Sequence, residues 1–149
     1  MTPELFAPGL VSTGLAERDV AISPDGREIY FAVTFRTTTT IMTAQFKQGR
    51  WTPPAVASFA ADLTYYNMEP CMSGDGRQVF FRSADGTWAP GVNLGPVVND
   101  PANTVHSPYI SPDGRYFFFA SNASRDRSPT PPGPLTLQPH AATAWSCVD

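Results

Sequence analysis

The chain has 149 residues, a formal charge of -3 and 42% hydrophobic residues, which is the balance expected of one soluble globular domain. Its ten Lys and Arg are scattered and form no basic run, so the electrostatic footprint of a nucleic-acid-binding surface is missing. Sixteen prolines and eleven glycines favour many short strands and turns over long helices.

Met1-Thr2-Pro3-Glu4 has neither a basic start nor an apolar run, and no stretch approaches membrane-spanning length. No signal peptide and no membrane span are therefore expected. Residues 1–17 read as an edge strand and a connector, with Phe6-Ala7-Pro8-Gly9-Leu10 echoing Trp88-Ala89-Pro90-Gly91-Val92. From Glu17 the chain runs through Val20-Ala21-Ile22 to the turn Ser23-Pro24-Asp25-Gly26 and continues as Ile29-Tyr30-Phe31-Ala32-Val33. Residues 37–46, rich in threonine and β-branched side chains, predict a third strand with Ile41, Thr43 and Phe46 on alternating positions. A turn at Lys47-Gln48-Gly49-Arg50 leads to a fourth strand at Trp51.

The turn recurs as Ser73-Gly74-Asp75-Gly76 and as Ser111-Pro112-Asp113-Gly114, at intervals of 50 and 38 residues. Val79-Phe80-Phe81-Arg82 follows the second copy and Tyr116-Phe117-Phe118-Phe119-Ala120 the third. Gly26 lies 25 residues before Trp51, whereas Gly76 lies only 12 before Trp88. The missing length is about one strand of 5 to 6 residues plus a turn, so the second unit is expected to have three strands. Residues 122–149 hold five prolines among Ser, Thr and Arg and read as an irregular, disordered tail, in which only residues 143–148 have strand character.

Units of four strands repeating every 40 to 50 residues point to blades of a β-propeller, all-β and here incomplete, with about three blades near residues 17–59, 67–99 and 105–121. The Ser-Pro-Asp-Gly turns, each followed by an aromatic run, resemble the WD40-like repeats of the PD40 type found in TolB-like propellers. The likeness covers about residues 3–121 and includes Glu17-Arg18-Asp19 and Trp88-Ala89-Pro90-Gly91-Val92. It implies a bacterial, periplasmic protein with a protein or peptide partner, and it implies that this chain is a fragment of a longer parent. Gly74 departs from the turn pattern, and the tail does not resemble the family. Blades left unclosed are expected to drive self-association, with the Phe6 segment as the outer strand that the third blade lacks.

Asp25 with Gly26, Asp75 with Gly76 and Asp113 with Gly114 are read as structural turn residues, because a short carboxylate bonds the local backbone and glycine takes the positive φ. A sialidase-type Asp-box separates its Asp and Gly by one residue, so that match fails. The candidate site lies four and five positions before each turn serine, at Arg18 and Asp19, at Met68 and Glu69, and at His106 and Ser107. The first strands of propeller blades line the channel, which brings Arg18, Asp19, Glu69, His106 and Ser107 to one rim. There they bind a polar ligand, a peptide or a cation, or else pair with one another.

No catalytic set is apparent. Gly-x-Ser-x-Gly and a glycine-rich phosphate loop are absent, and His106, His140, Cys71 and Cys147 lack zinc spacing. No cofactor or metal is expected, nor a disulfide, since Cys71 falls in a predicted buried strand and Cys147 in the tail. Sequence reasoning thus favours a non-catalytic binding or scaffold module. The alternative is part of a propeller hydrolase, glycan-processing or prolyl-peptidase-like, for which Asp19 and Glu69 are the acid pair.

Overall fold

The computed structural model describes residues 2–83, 94–96, 98–100 and 102–122, and the backbone of residues 92–93 and 144–148. These residues are mostly strand, in three antiparallel sheets, none of them closed. The first sheet runs β1 (Ala16–Ile22), β2 (Glu28–Phe35), β3 (Thr38–Lys47) and β4 (Arg50–Trp51), with β5 (Ala55–Val56) also pairing β3. The second contains β6 (Asn67–Met72), β7 (Val79–Ser83) and β8 (Val92–Asn93), and the third β9 (Val105–Ile110) and β10 (Phe117–Ser121). β11 (Ala144–Val148) joins the second sheet, between β7 and β8.

The recurring turn is one hydrogen-bonded device used three times. Gly26 donates its amide to the Ser23 carbonyl at 2.8 Å, as in a type I turn with proline at its second position. The Ser23 hydroxyl donates to Asp25 Oδ1 at 2.6 Å and accepts the Glu28 amide at 2.8 Å. Ser73 with Asp75 and Gln78, and Ser111 with Asp113 and Tyr116, repeat the arrangement. The closing glycines Gly26, Gly76 and Gly114 have φ of 68°, 71° and 69°, a left-handed region where a Cβ is costly.

Each first strand carries the same bulge. Arg18 pairs with Ala32 and Ala21 with Tyr30, so that Asp19 and Val20 together face Phe31. The register shifts identically between Met68 and Cys71 opposite β7, and between Phe118 and Ala120 where β10 meets β9. The bulged residues Asp19, Glu69 and Ser107 have φ of 56°, 56° and 55°. Nothing in the amino-acid types at these positions announces a shared conformation.

The sheets stack in chain order, β1 beside β6 and β6 beside β9. Ile41 and Phe59 of the first unit pack on Val79 and Phe81 of the second, with the Phe59 and Phe81 rings 4.8 Å apart. Phe80, Leu94 and Val98 of the second pack on Val105, Ile110 and Phe117 of the third. The turns touch as well. A Cβ on Gly76 would lie 3.1 Å from Pro24 Cδ, and one on Gly74 would overlap the carbonyl oxygen of Pro112. The second turn therefore has glycine where the others have proline because its neighbour's backbone occupies the space.

One expectation needs correction. Phe6 is not a strand of the third unit: the amides of Leu10, Val11 and Ser12 all bond the Ala7 carbonyl, and Ala7 and Gly9 have positive φ, so the segment curls. Ala7, Leu10 and Val11 instead cover Ile29, Phe31 and Val33 of the first sheet. In the tail, the strand character expected of residues 143–148 appears as β11. Among the described residues the second unit contributes β6, β7 and β8 from its own stretch of chain, and β11 pairs with β7 over all five of its residues and with Val92 and Asn93 of β8. Residues 123–143, which hold the prolines and His140, lie outside the described residues, as does Trp88.

Candidate functional site

The three bulges place the five expected site residues in one connected line. Arg18 Nε donates to Asp19 Oδ2 at 2.7 Å, and an Arg18 terminal nitrogen lies 3.9 Å from Glu69 Oε1. The second oxygen of Glu69 accepts the Ser107 amide at 2.9 Å, and His106 Nδ1 lies 3.2 Å from the Ser107 hydroxyl. One carboxylate thus ties the first strands of all three units together.

Exposure divides the group. The side chain of Glu69 is only 10% exposed and that of Asp19 23%, whereas Arg18 retains 52%. His106 and Ser107 are also exposed. Glu69 is a buried anchor, and Arg18, His106 and Ser107 form the face that a solute can reach. A buried carboxylate that accepts a backbone amide and faces a guanidinium is held in place by charge-assisted bonds.

Beside this line lies a polar pair that the sequence did not disclose. Asn67 and Ser83 face one another across β6 and β7, both fully buried, and among the described residues their side-chain atoms have no hydrogen-bond partner. Such groups cost about 1–3 kcal/mol each when left unsatisfied. Asn67 is two residues from Glu69, so the cost falls next to the bulge.

A separate cleft of about 410 Å³ opens between the first two sheets, lined by Glu28, Tyr30, Gln45, Phe59 and Arg77 among others. Gln45 and the Tyr30 hydroxyl both donate to the Glu28 carboxylate. Burial, and then the neighbouring Glu28 charge, push the Tyr30 hydroxyl above its ordinary range, so it is a donor here. Alternation along β2 is a signal that could have placed Glu28 and Tyr30 on one face, but the partner Arg77 comes from another unit.

The turn carboxylates behave as structural groups. The serine hydroxyl, followed by the amide of the arginine two residues on, holds Asp25, Asp75 and Asp113 below the usual carboxylate range. Each lies at the solvent-facing end of its turn. Cys71 is a free thiol, pushed up by burial. Cys71 and Cys147 flank Phe80 on opposite strands, about 9–10 Å apart by strand spacing, beyond disulfide reach.

Among the described residues no helix is long and apolar enough to cross a membrane. Comparison with family models, curated proteins and solved structures returns no match.

Proposed function

We infer that the chain is a non-catalytic binding module of the WD40-like propeller type, with about three blades, and that its partner is a protein or peptide engaging Arg18, His106 and Ser107. One observation carries this reading. Asp19, Glu69 and Ser107 hold a left-handed backbone at equivalent positions of three adjacent strands. A side chain in that region costs roughly 1–2 kcal/mol, and strain of this kind persists where the surroundings impose it, often at ligand-binding sites. The resemblance of the turns to PD40-type repeats of bacterial envelope proteins supports the same assignment.

Both oxygens of Glu69 already have partners, which favours binding over acid–base hydrolysis at this place. The test begins with peptides selected by display against the chain. Arg18→Ala and His106→Ala are each expected to weaken the selected peptides about tenfold or more, as for a hot-spot residue, with an unchanged urea midpoint for His106→Ala and a lower one for Arg18→Ala, which removes the ion-pair partner of the buried Glu69. Peptides that bind both variants at full affinity exclude the rim as the site. Turnover of chromogenic glycosides or peptides that Glu69→Gln abolishes would replace this reading with a hydrolytic one.

A further inference from the structure

The contact between the first two units changes character along its length. Ile41, Phe59, Val79 and Phe81 close one part of it with apolar packing. Toward the turns the same face of the first sheet becomes polar, because Tyr30 stands opposite Thr43 and Glu28 opposite Gln45, and a period of two keeps all four on the side of Ile41. Here the units part. They leave the cleft of about 410 Å³, a volume in the range of small-ligand sites, about 300–1,000 Å³.

The repeat itself does not require this polarity. Tyr30 lies seven residues after its turn serine, and the residue seven after Ser73 is Phe80. Phe80 meets Phe117 of the third unit with ring centroids 5.5 Å apart, in one apolar core with Leu94 and Val98. The position of Phe117, six after the serine, is held in the second unit by Val79. A smaller residue facing Tyr30 therefore leaves open, between the first two units, space that two aromatic rings fill between the next two.

We propose that this cleft binds a neutral sugar, a pyranose ring with free vicinal hydroxyls. Glu28 supplies an acceptor from the first unit and Arg77 a donor from the second, and among the described residues no ion pair joins them. Gln45 donates to one Glu28 oxygen and fixes it, while the Tyr30 hydroxyl lies 3.4 Å from the other, longer than the roughly 2.5–3.0 Å of an ordinary O–H···O bond. That oxygen keeps acceptor capacity, and the exposed Arg77 guanidinium is a donor only. Each sugar hydroxyl both donates and accepts, so a vicinal pair bridges the carboxylate and the guanidinium. A cation at Glu28 is opposed by Arg77, and an anion at Arg77 is opposed by Glu28 and by Asp75 of the same turn. Phe59 and Val79 supply the apolar wall on which the C–H face of the ring packs. Arg18 and His106 line no part of the cleft, so it stands apart from the rim.

Nuclear magnetic resonance titration of the nitrogen-labelled full chain tests this, with the methyl glycosides of glucose, galactose, mannose and N-acetylglucosamine as probes. Glycine as a zwitterion and acetate as an anion are the charged comparisons. At least one glycoside should give saturable millimolar shifts at the Gln45 side-chain amide, Ser58 and Arg77. Arg77→Ala changes an exposed side chain and Glu28→Gln keeps the shape of the residue, and each should weaken that glycoside about tenfold or more. His106→Ala, at the rim, should leave it unchanged. No saturable shift with any of the four glycosides, shifts centred on Arg18 and His106, or tighter binding of glycine or acetate than of every glycoside would each overturn the proposal. So would a glycoside that binds the Arg77→Ala and Glu28→Gln chains as tightly as the parent.

Discussion

Replacing Gly74 sets two physical effects against each other. The residue occupies the turn position held by proline in the first and third copies, and its φ is not in the left-handed region. By the unfolded-chain argument alone, Gly74→Ala or Gly74→Pro should stabilise by about 0.4–1 kcal/mol, since fewer conformations are lost on folding. The structure reverses the sign. An added Cβ would stand 2.8 Å from the carbonyl carbon of Pro112 and 3.0 Å from its Cα, and closer still to its oxygen. Those are backbone atoms, so the second and third turns must move apart. Overpacking of this kind costs about 1–3 kcal/mol. The net expectation for Gly74→Ala is a loss of about 0.5–2 kcal/mol, read as a lower urea midpoint at unchanged m value. A variant as stable as the parent, or more so, would refute the contact between turns.

Glu69→Ala leaves the Ser107 amide without its acceptor and should cost about 1–3 kcal/mol in urea unfolding; Glu69→Gln keeps an oxygen there and should cost less, and the reverse order would contradict the anchor role. Phe81, fully buried between the first two units, should cost about 3–5 kcal/mol on truncation to alanine, and a loss below that range would place it outside the core. Asp25, Asp75 and Asp113 have native values depressed below the ordinary 3.8, so the unfolded chain binds more protons in the acid range and stability falls as pH drops below about 4. Urea midpoints measured from pH 5 downward should show that fall, and the Asp→Asn triple variant should flatten it in part, since Glu17 and Asp62 are depressed too. A chain ending at residue 143 lacks β11 and exposes the edge of β7, so light scattering should report aggregation, and a stable monodisperse product would argue against β11 in that sheet.

The parts of the fold legible in the sequence are those made by neighbours in the chain. Ser, Asp and Gly at fixed offsets close their own hydrogen bonds, so the three turns and the strands flanking them follow from local chemistry. The place of β11 in the second sheet was not legible, because β11 reaches β7 from more than sixty residues away and residue spacing has no bearing on such a pairing. The Phe6 segment misled for the opposite reason. It resembles Trp88-Ala89-Pro90-Gly91, yet Pro8 and Gly9 curl it onto the nearest apolar face, that of Ile29 and Phe31. The five candidate residues follow from position, through the offset from each turn serine, and they lie together in the fold. The bulge that brings Arg18, Glu69 and Ser107 together was invisible, since the three bulged residues are Asp, Glu and Ser.

The units stack face to face in chain order, and ring contacts between them report that stacking most directly. Aromatic nuclear Overhauser effects in the labelled full chain should connect Phe59 with Phe81, whose centroids are 4.8 Å apart, and Phe80 with Phe117 at 5.5 Å. Both connections are predicted, the first joining units one and two and the second joining units two and three. Their absence, with the turns and strands of each unit still formed, would contradict the stacked arrangement and the site built upon it.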